Sequence, residues 1–256
     1  MNIVESVYKF YNSYEGEKGL IGYTEKQKPI SYVVVKKSSR PRVIIQYSIH
    51  AREWITSYLA LMQVADFKKR GRLGTVYFIP MLNVDGVKIA LKQLPLYKAN
   101  ARGVDLNVNF DAKWSTGKTN CKIKGQENFV GKTPFSESET KALRDFTLGV
   151  NPDMTVSYHS KGEEIYWEFF QDEERRKRDY RLAKKLSETT GYELKTVTDS
   201  VGGYKDWCIQ TLKIPSFTIE VGNDSLSHPL CSKHTLEIFL KNKDVVKTLT
   251  ESFGSK

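Results

Sequence analysis

Hydrophobic residues along the chain form two types of pattern: short runs typical of strands, and longer stretches with helical spacing. The strand-like runs cover residues 31–35, 43–48, 76–80, 154–158, 164–169 and 216–221. The runs at 43–48 and 76–80 are almost entirely apolar, as expected for strands that are buried on both faces of a sheet. Helical spacing at 53–69, between these two runs, completes a strand–helix–strand unit and predicts a sheet that is at least partly parallel.

Further helices are predicted at both ends of the chain and after the central strands. Their patterns lie at 4–11, 173–190 and 234–252. Ser136 and Glu139 have the spacing of a capping box, so another helix is predicted to begin there. The stretch 83–135 is rich in turn formers, and a segment this long without periodicity is usually functional. Because the sequence contains no repeat, low-complexity tract or linker, we predict one α/β domain over residues 1–256.

Composition and charge exclude some classes of protein. Of the 256 residues, 39% are hydrophobic, which is enough to fill a globular core. The net charge is +10, but the lysines are spread along the chain and no nucleic-acid-binding motif is present, so we expect no nucleic-acid partner. Three cysteines without a CxxC pair indicate reduced thiols. Without a signal-peptide pattern or a membrane-spanning run, we expect a cytoplasmic protein, with cell-wall association as the alternative.

His50 and Glu53 are the first candidates for chemistry. His50 follows the strand-like run 43–48 and Glu53 opens the predicted helix, so the turn between them can direct an imidazole and a carboxylate to one point. Zinc in proteins accepts both of these ligand types. The H-x-x-E spacing alone also fits a surface histidine followed by a glutamate at a helix N-terminus.

Three later residues extend this candidate site. His159 follows the run 154–158, and with His50 and Glu53 it would complete the three protein ligands of a catalytic zinc ion. Glu220 is an acidic residue within an apolar strand, where it needs a partner or a catalytic task, such as taking a proton from water as a general base. Asp105 is a candidate partner for the second ring N–H of a zinc-ligating histidine. The structural alternatives are a core histidine, a buried salt bridge and a turn-stabilising aspartate.

Six strings in the sequence resemble, in the same order, motifs of the zinc carboxypeptidase family typified by pancreatic carboxypeptidases A and B. They are HAREW (50–54), NVDG (83–86), GVDLNVNF (103–110), TPFSESET (133–140), SYHS (157–160) and FTIEVG (217–222). The resemblance implies a mixed, mostly parallel eight-stranded sheet flanked by helices. It also implies one zinc ion per chain, although sites of this kind accept cobalt or manganese as well. The implied ligands are His50, Glu53 and His159, with Asp105 as the partner of His50 and Glu220 as the general base.

The sequence departs from the family pattern at positions that bind substrate. The resemblance implies an arginine after Asn107 that grips the terminal carboxylate of the substrate, and this position is Val108. Loss of a bidentate donor argues against ordinary release of C-terminal L-amino acids. The family's oxyanion-stabilising arginine falls near Lys98, which keeps a positive charge, and Arg102 is a nearby alternative.

The strings YKANARGVDLN, GGYKDW and PSFTIEVG resemble the bacterial branch of the family that cleaves γ-D-glutamyl–diaminopimelate bonds in peptidoglycan peptides. This resemblance implies a peptidase for peptide or muropeptide substrates, with the segment 202–207 lining the substrate pocket. The candidate substrate-binding residues are Asn107, Tyr204, Lys205 and Asp206. The segment also fits a plain turn before a short helix. A conventional metallocarboxypeptidase and a non-catalytic binding module with the same fold stay open, and no feature predicts an oligomeric state.

Overall fold

The computed structural model describes residues 2–196 and 199–253. The strands are β1 (Lys18–Tyr23), β2 (Pro29–Lys36), β3 (Arg42–Tyr47), β4 (Thr75–Ile79), β5 (Met154–Ser160), β6 (Glu164–Tyr166), β7 (Glu193–Lys195) and β8 (Ser216–Val221). The α-helices are α1 (Ile3–Ser13), α2 (Ile55–Arg70), α3 (Val84–Lys92), α4 (Ser138–Val150), α5 (Glu173–Thr190), α6 (Tyr204–Trp207), α7 (Thr235–Asn242) and α8 (Val245–Ser252).

All of these strands belong to one sheet, in the order β1-β2-β4-β3-β5-β8-β6-β7. The central strands β4, β3, β5 and β8 run parallel to one another, and β6 runs parallel to β7. The β1–β2, β2–β4 and β6–β8 pairs are antiparallel. Parallel pairs therefore outnumber antiparallel pairs, and the prediction of a mixed, mostly parallel eight-stranded sheet is confirmed.

Hydrophobic clusters cover both faces of the central strands. Ile45 and Tyr47 of β3 pack on one face in a cluster that includes residues of α2, α5, α7 and α8. Ile44, between them, packs on the other face in a cluster that includes residues of α4 and α6. Successive side chains of a strand point to opposite faces, so helices on both sides explain why the run 43–48 is almost uninterruptedly apolar.

Helix α5, which packs against the sheet, is amphipathic. The longest helix, α5, buries Leu182, Ala183 and Leu186 and exposes most of its charged side chains. Across residues 2–196 and 199–253, every helix is too short or too polar to cross a bilayer.

Local structure differs from the predicted pattern around the stretch 83–135. Helix α3 lies within this stretch, where no helix was expected, and the side chain of Asn83 caps it by accepting a hydrogen bond from Gly86 N at 3.0 Å. Strands β1 and β7 were also missed, because both are short strands at the edges of the sheet. The predicted helix at 234–252 is divided into α7 and α8.

The predicted capping box at Ser136 is wrong. Helix α4 begins at Ser138, and no side chain caps its first turn at Glu137. The Ser136 hydroxyl donates to Glu137 Oε1 at 2.7 Å and accepts from Asn109 Nδ2 at 3.0 Å. The Ser136 side chain is therefore engaged by Glu137 and by the distant Asn109 instead of capping the helix. Glu139 lies in the first turn of α4 and is buried.

Candidate active site

A tight turn after β3 positions His50 and Glu53. β3 ends at Tyr47, and Glu53 lies in a single turn of 3-10 helix that precedes α2. Ser48 holds this turn against α2, because its backbone N–H donates to Thr56 Oγ1 at 2.9 Å. His159 comes from β5, the parallel neighbour of β3. The parallel arrangement brings the ends of both strands to the same edge of the sheet, as the sequence indicated.

His50, Glu53 and His159 converge on one buried point. His50 Nδ1 lies 2.8 Å from Glu53 Oε1, and His159 Nδ1 lies 3.2 Å from His50 Nδ1. Glu53 Oε2 is 3.0 Å from His159 Nδ1, yet it has no hydrogen-bond partner of acceptable geometry. The three residues are 6%, 3% and 1% exposed. Two imidazoles and a carboxylate directed at one point, with a buried oxygen left without a hydrogen bond, fit the donor set of a catalytic zinc ion.

Asp105 lies behind His50 and connects it to Lys98. Asp105 Oδ1 is 3.1 Å from His50 Nε2 and accepts from Asn107 N at 2.9 Å, and Oδ2 is 2.8 Å from Lys98 Nζ. Burial opposes ionisation of this carboxyl, but the adjacent Lys98 and His50 bring the pKa of Asp105 far below its usual value. An ionised carboxylate on the outer nitrogen of His50 leaves Nδ1 free to bind a metal.

Glu220 lies beside the ligand cluster on β8. It is directly opposite His159 in the β5–β8 pair, and its Oε2 atom is buried without a hydrogen-bond partner. Burial and the nearby Glu53 carboxylate raise the pKa of Glu220 well above its usual value. A carboxyl with a raised pKa, next to a metal site, has the properties of a group that takes up and returns a proton.

A cavity of about 250 Å³ opens onto this cluster. Its lining consists of His50, Lys98, Asp105, Asn107, Val108, His159, Tyr166, Ser200, Gly203, Lys205, Asp206, Thr218 and Glu220. The structure thus brings most of the predicted site residues together around one pocket. Tyr166, Ser200 and Thr218 were missed. Thr218 was recognisable, because it lies two residues before Glu220 on β8 and shares its face of the sheet.

Lys205 and Asp206 form a charged pair in the pocket wall. Lys205 Nζ donates to Asp206 Oδ1 at 2.6 Å and to the Glu168 carbonyl oxygen at 3.0 Å. Asp206 Oδ2 accepts from Gly203 N at 3.0 Å. Both residues are 6% exposed, so the pair is mostly removed from solvent while it lines the cavity.

Tyr204, which was predicted to bind substrate, lies in the core instead. Its side chain is fully buried, and its hydroxyl is 2.8 Å from Thr147 Oγ1 on α4. Lys205 and Asp206, the next two residues of α6, line the pocket, whereas Tyr204 packs beside Phe110 and Trp207. Its backbone N–H donates to Asn107 Oδ1 at 3.4 Å, so Tyr204 supports the pocket from behind.

Of the two candidates for stabilising an oxyanion, Lys98 is the one beside the ligands. Lys98 lines the cavity, and the Asp105 carboxylate raises the pKa of its ammonium group although burial alone would lower it. The guanidinium of Arg102 points elsewhere, with nitrogen–oxygen distances of 3.5 Å to both Glu25 and Glu137. The predicted role of Arg102 in catalysis is therefore not supported by its position, because Arg102 does not line the cavity.

Several known proteins are similar to this chain in sequence or in fold. The chain is 28% identical, over 92% of its length, to gamma-D-glutamyl-L-diamino acid endopeptidase 1 of Lysinibacillus sphaericus. It spans 67% of that relative's length, and 58% and 44% of two further curated relatives. Bovine thrombin-activatable fibrinolysis inhibitor superposes with a TM-score of 0.84 over 97% of this chain and 93% of its own, at 22% identity. Murein-tripeptide amidase MpaA of Escherichia coli O157 superposes with a TM-score of 0.67 over 91% and 92%, at 20% identity, and both superpositions show a shared fold.

The family model for zinc carboxypeptidases matches residues 12–253, which include the whole sheet and every residue of the site. The predictions of a zinc metallopeptidase and of one zinc site are confirmed at the level of the family, and the convergence of His50, Glu53 and His159 agrees with it. By fold, by ligand geometry and by sequence match, the chain belongs to the zinc carboxypeptidase family.

Proposed function

We propose that this protein is a zinc-dependent peptidase that hydrolyses γ-D-glutamyl–diaminopimelate bonds in peptides derived from peptidoglycan. The relative from Lysinibacillus sphaericus, which matches most of the chain, is named for cleavage next to a diamino acid. The observation that carries the proposal is the Lys205–Asp206 pair in the wall of the pocket next to the metal ligands.

The charges of this pair complement the far end of diaminopimelate, which carries an amino group and a carboxylate on one carbon. A lysine ammonium has three N–H donors, and Lys205 uses two of them within the protein. A carboxylate accepts about four hydrogen bonds, and two fall on Asp206 from Lys205 and Gly203. One cationic donor and about two anionic acceptor positions therefore remain for a zwitterionic ligand. The pocket is largely dehydrated, and charge-assisted hydrogen bonds are strong there.

Val108 supports the same choice of substrate. It lines the cavity at the position where the family pattern has an arginine, and it is 3% exposed. Valine offers no donor for a terminal carboxylate. Asn107 remains in the wall, where its Oδ1 atom accepts from Tyr204 N. Its neutral amide nitrogen does not replace the charged, fork-shaped donor of an arginine. The described pocket therefore favours a ligand held by Lys205 and Asp206 over one held by its C-terminal carboxylate.

The chain's own residues supply the proton transfers of hydrolysis. A zinc ion held by His50, Glu53 and His159 would polarise the scissile carbonyl and lower the pKa of the attacking water. Glu220 takes the proton from that water and delivers it to the amine that leaves. Lys98 stabilises the negative charge that develops on the carbonyl oxygen, and Asp105 keeps both Lys98 and His50 in place.

The proposal is tested with two substrates and the purified, zinc-loaded protein. One is a peptide with a γ-D-glutamyl–meso-diaminopimelate bond, and the other is a standard peptide with a C-terminal L-amino acid; products are identified by mass spectrometry. We expect cleavage of the first and little of the second. Preference for the L-peptide would instead identify a conventional carboxypeptidase. A protein that binds the muropeptide without cleaving it would be a binding module.

A further inference from the structure

The segment between Lys98 and Asp105 has no helix or strand to hold it, although both of its ends belong to the site. Lys98 Nζ and Asp105 Oδ2 are 2.8 Å apart in the pocket wall. Positions of this precision require rigid support, because catalytic groups lose effectiveness when they shift by about 1 Å. In this segment the support comes from Asn100, which is fully buried.

The side-chain oxygen of Asn100 folds the segment back on itself. Asn100 Oδ1 accepts from Arg102 N at 3.0 Å and from Val104 N at 3.1 Å. The backbone N–H of Asn100 donates to the Val104 carbonyl oxygen at 2.9 Å. These bonds close the chain into a compact turn that ends immediately before Asp105.

The side-chain nitrogen of Asn100 fastens this turn to the beginning of α4. Asn100 Nδ2 donates to Glu137 Oε2 at 2.8 Å and to Glu139 Oε2 at 3.2 Å. Both glutamates are fully buried. Arg102 Nε lies 3.5 Å from Glu137 Oε2, which is farther than Asn100 Nδ2. A buried carboxylate needs hydrogen bonds to replace its hydration, so the two N–H groups of Asn100 are difficult to remove.

We infer that Asn100 is a positioning residue for the active site: by tying the 98–105 segment to Glu137 and Glu139, it holds Lys98 and Asp105 where they act. Its influence on Lys98 rests on the proposed function. Its influence on the metal does not, because Asp105 contacts the ligand His50 whatever the substrate is.

Asn100→Asp is the informative change, because aspartate has the same shape and keeps an acceptor for Arg102 N and Val104 N but donates no hydrogen bond to Glu137. The double variant Asn100→Asp/Glu137→Gln exchanges the donor and the acceptor of this hydrogen bond. The glutamine amide at position 137 can donate to the aspartate at position 100, and its oxygen still accepts from Ser136. Asn242→Asp is the matched control, because Asn242 is another fully buried asparagine whose Nδ2 donates, to Tyr192 and Ile238, away from the pocket.

Two quantities are measured: the Kd for zinc by chelator competition, and the kcat and KM on the cleaved peptide. For Asn100→Asp we expect zinc affinity to fall about tenfold and kcat to fall about tenfold, with KM changed less than about twofold. The double variant should recover most of both losses. Asn242→Asp should lose stability but keep the zinc Kd and kcat of the folded protein.

A folded Asn100→Asp protein with wild-type zinc affinity and kcat would overturn the inference, and so would a double variant that recovers neither quantity. If Asn100→Asp does not fold, Glu137→Ala removes one acceptor of Asn100 and leaves the bonds within the segment intact. A smaller loss of zinc affinity and of kcat is then expected. If neither quantity falls, the inference is overturned. Failure of the proposed function is distinct, because the wild-type protein would then prefer the L-peptide or cleave neither peptide, while the zinc measurements still apply.

Discussion

His159 and Glu220 lie directly opposite each other on the neighbouring parallel strands β5 and β8. Opposed residues in a ladder project from the same face of a sheet, so the register of these two strands fixes a metal ligand and a proton acceptor side by side. Thr218 precedes Glu220 on the same face and reaches the pocket wall. The central part of the active site is therefore set by the pairing of two strands in the interior of the sheet.

Replacing Lys98 by methionine should lower kcat by about 10²–10³, because removing a single group that stabilises an oxyanion has an effect of this size. Arg102→Met is the matched change, and it should leave kcat within about threefold, because Arg102 faces Glu25 and Glu137 outside the pocket. Steady-state kinetics on the cleaved peptide measure both variants. A larger loss of kcat in Arg102→Met than in Lys98→Met would assign the oxyanion role to Arg102.

Replacing Lys205 by methionine should reduce discrimination between two muropeptides. The first contains meso-diaminopimelate, and the second contains L-lysine, which lacks the distal carboxylate. Loss of a charged hydrogen-bond donor should lower kcat/KM on the first substrate by about 10- to 100-fold and change the second much less. The ratio of the two kcat/KM values is the measurement, because it is independent of the fraction of folded enzyme. An unchanged ratio would show that Lys205 does not contact the diamino acid.

Glu139 should make the stability of the protein depend on pH. Burial raises the pKa of Glu139 from its usual value of 4.5 to about 7. Between these pH values the folded state binds a proton that the unfolded state has released, so the free energy of unfolding falls as pH rises through this window, by about 3 kcal/mol. In Glu139→Gln this contribution is absent.

Urea unfolding of the metal-free proteins at pH 5 and pH 8 measures the effect as a difference between wild type and variant. The exposed change Glu237→Gln is the control, because this side chain is 64% exposed and should follow wild type. Equal pH dependence in wild type and Glu139→Gln would show that Glu139 does not titrate in this range.

The sequence was informative wherever a buried strand ended in a polar residue. Short runs rich in apolar residues marked β3, β5 and β8, and His50, His159 and Glu220 stood out because charged or ionisable groups are costly in or after such runs. These three side chains lie close together because neighbouring parallel strands end on the same side of the sheet. The strand–helix–strand pattern predicted this parallel pairing.

Features that depend on distant contacts were not predictable in this way. Tyr204 and Lys205 are adjacent in the sequence, and only the packing of α6 against α4 sends the first to the core and the second to the pocket. Asn100 is one polar residue in a turn-rich stretch, and its partners Glu137 and Glu139 lie some 40 residues further along the chain. Side-chain contacts across such separations leave no local pattern.

The most direct test of the account is the Glu220→Gln variant, analysed for zinc content and turnover together. Glu164→Gln is its control, because Glu164 is the residue opposite Glu220 on the other neighbouring strand, β6. We expect Glu220→Gln to bind one zinc ion per chain with wild-type affinity and to lose nearly all turnover, by about 10³-fold or more. Glu164→Gln should keep most of its activity. Substantial turnover by zinc-loaded Glu220→Gln would contradict the assigned mechanism.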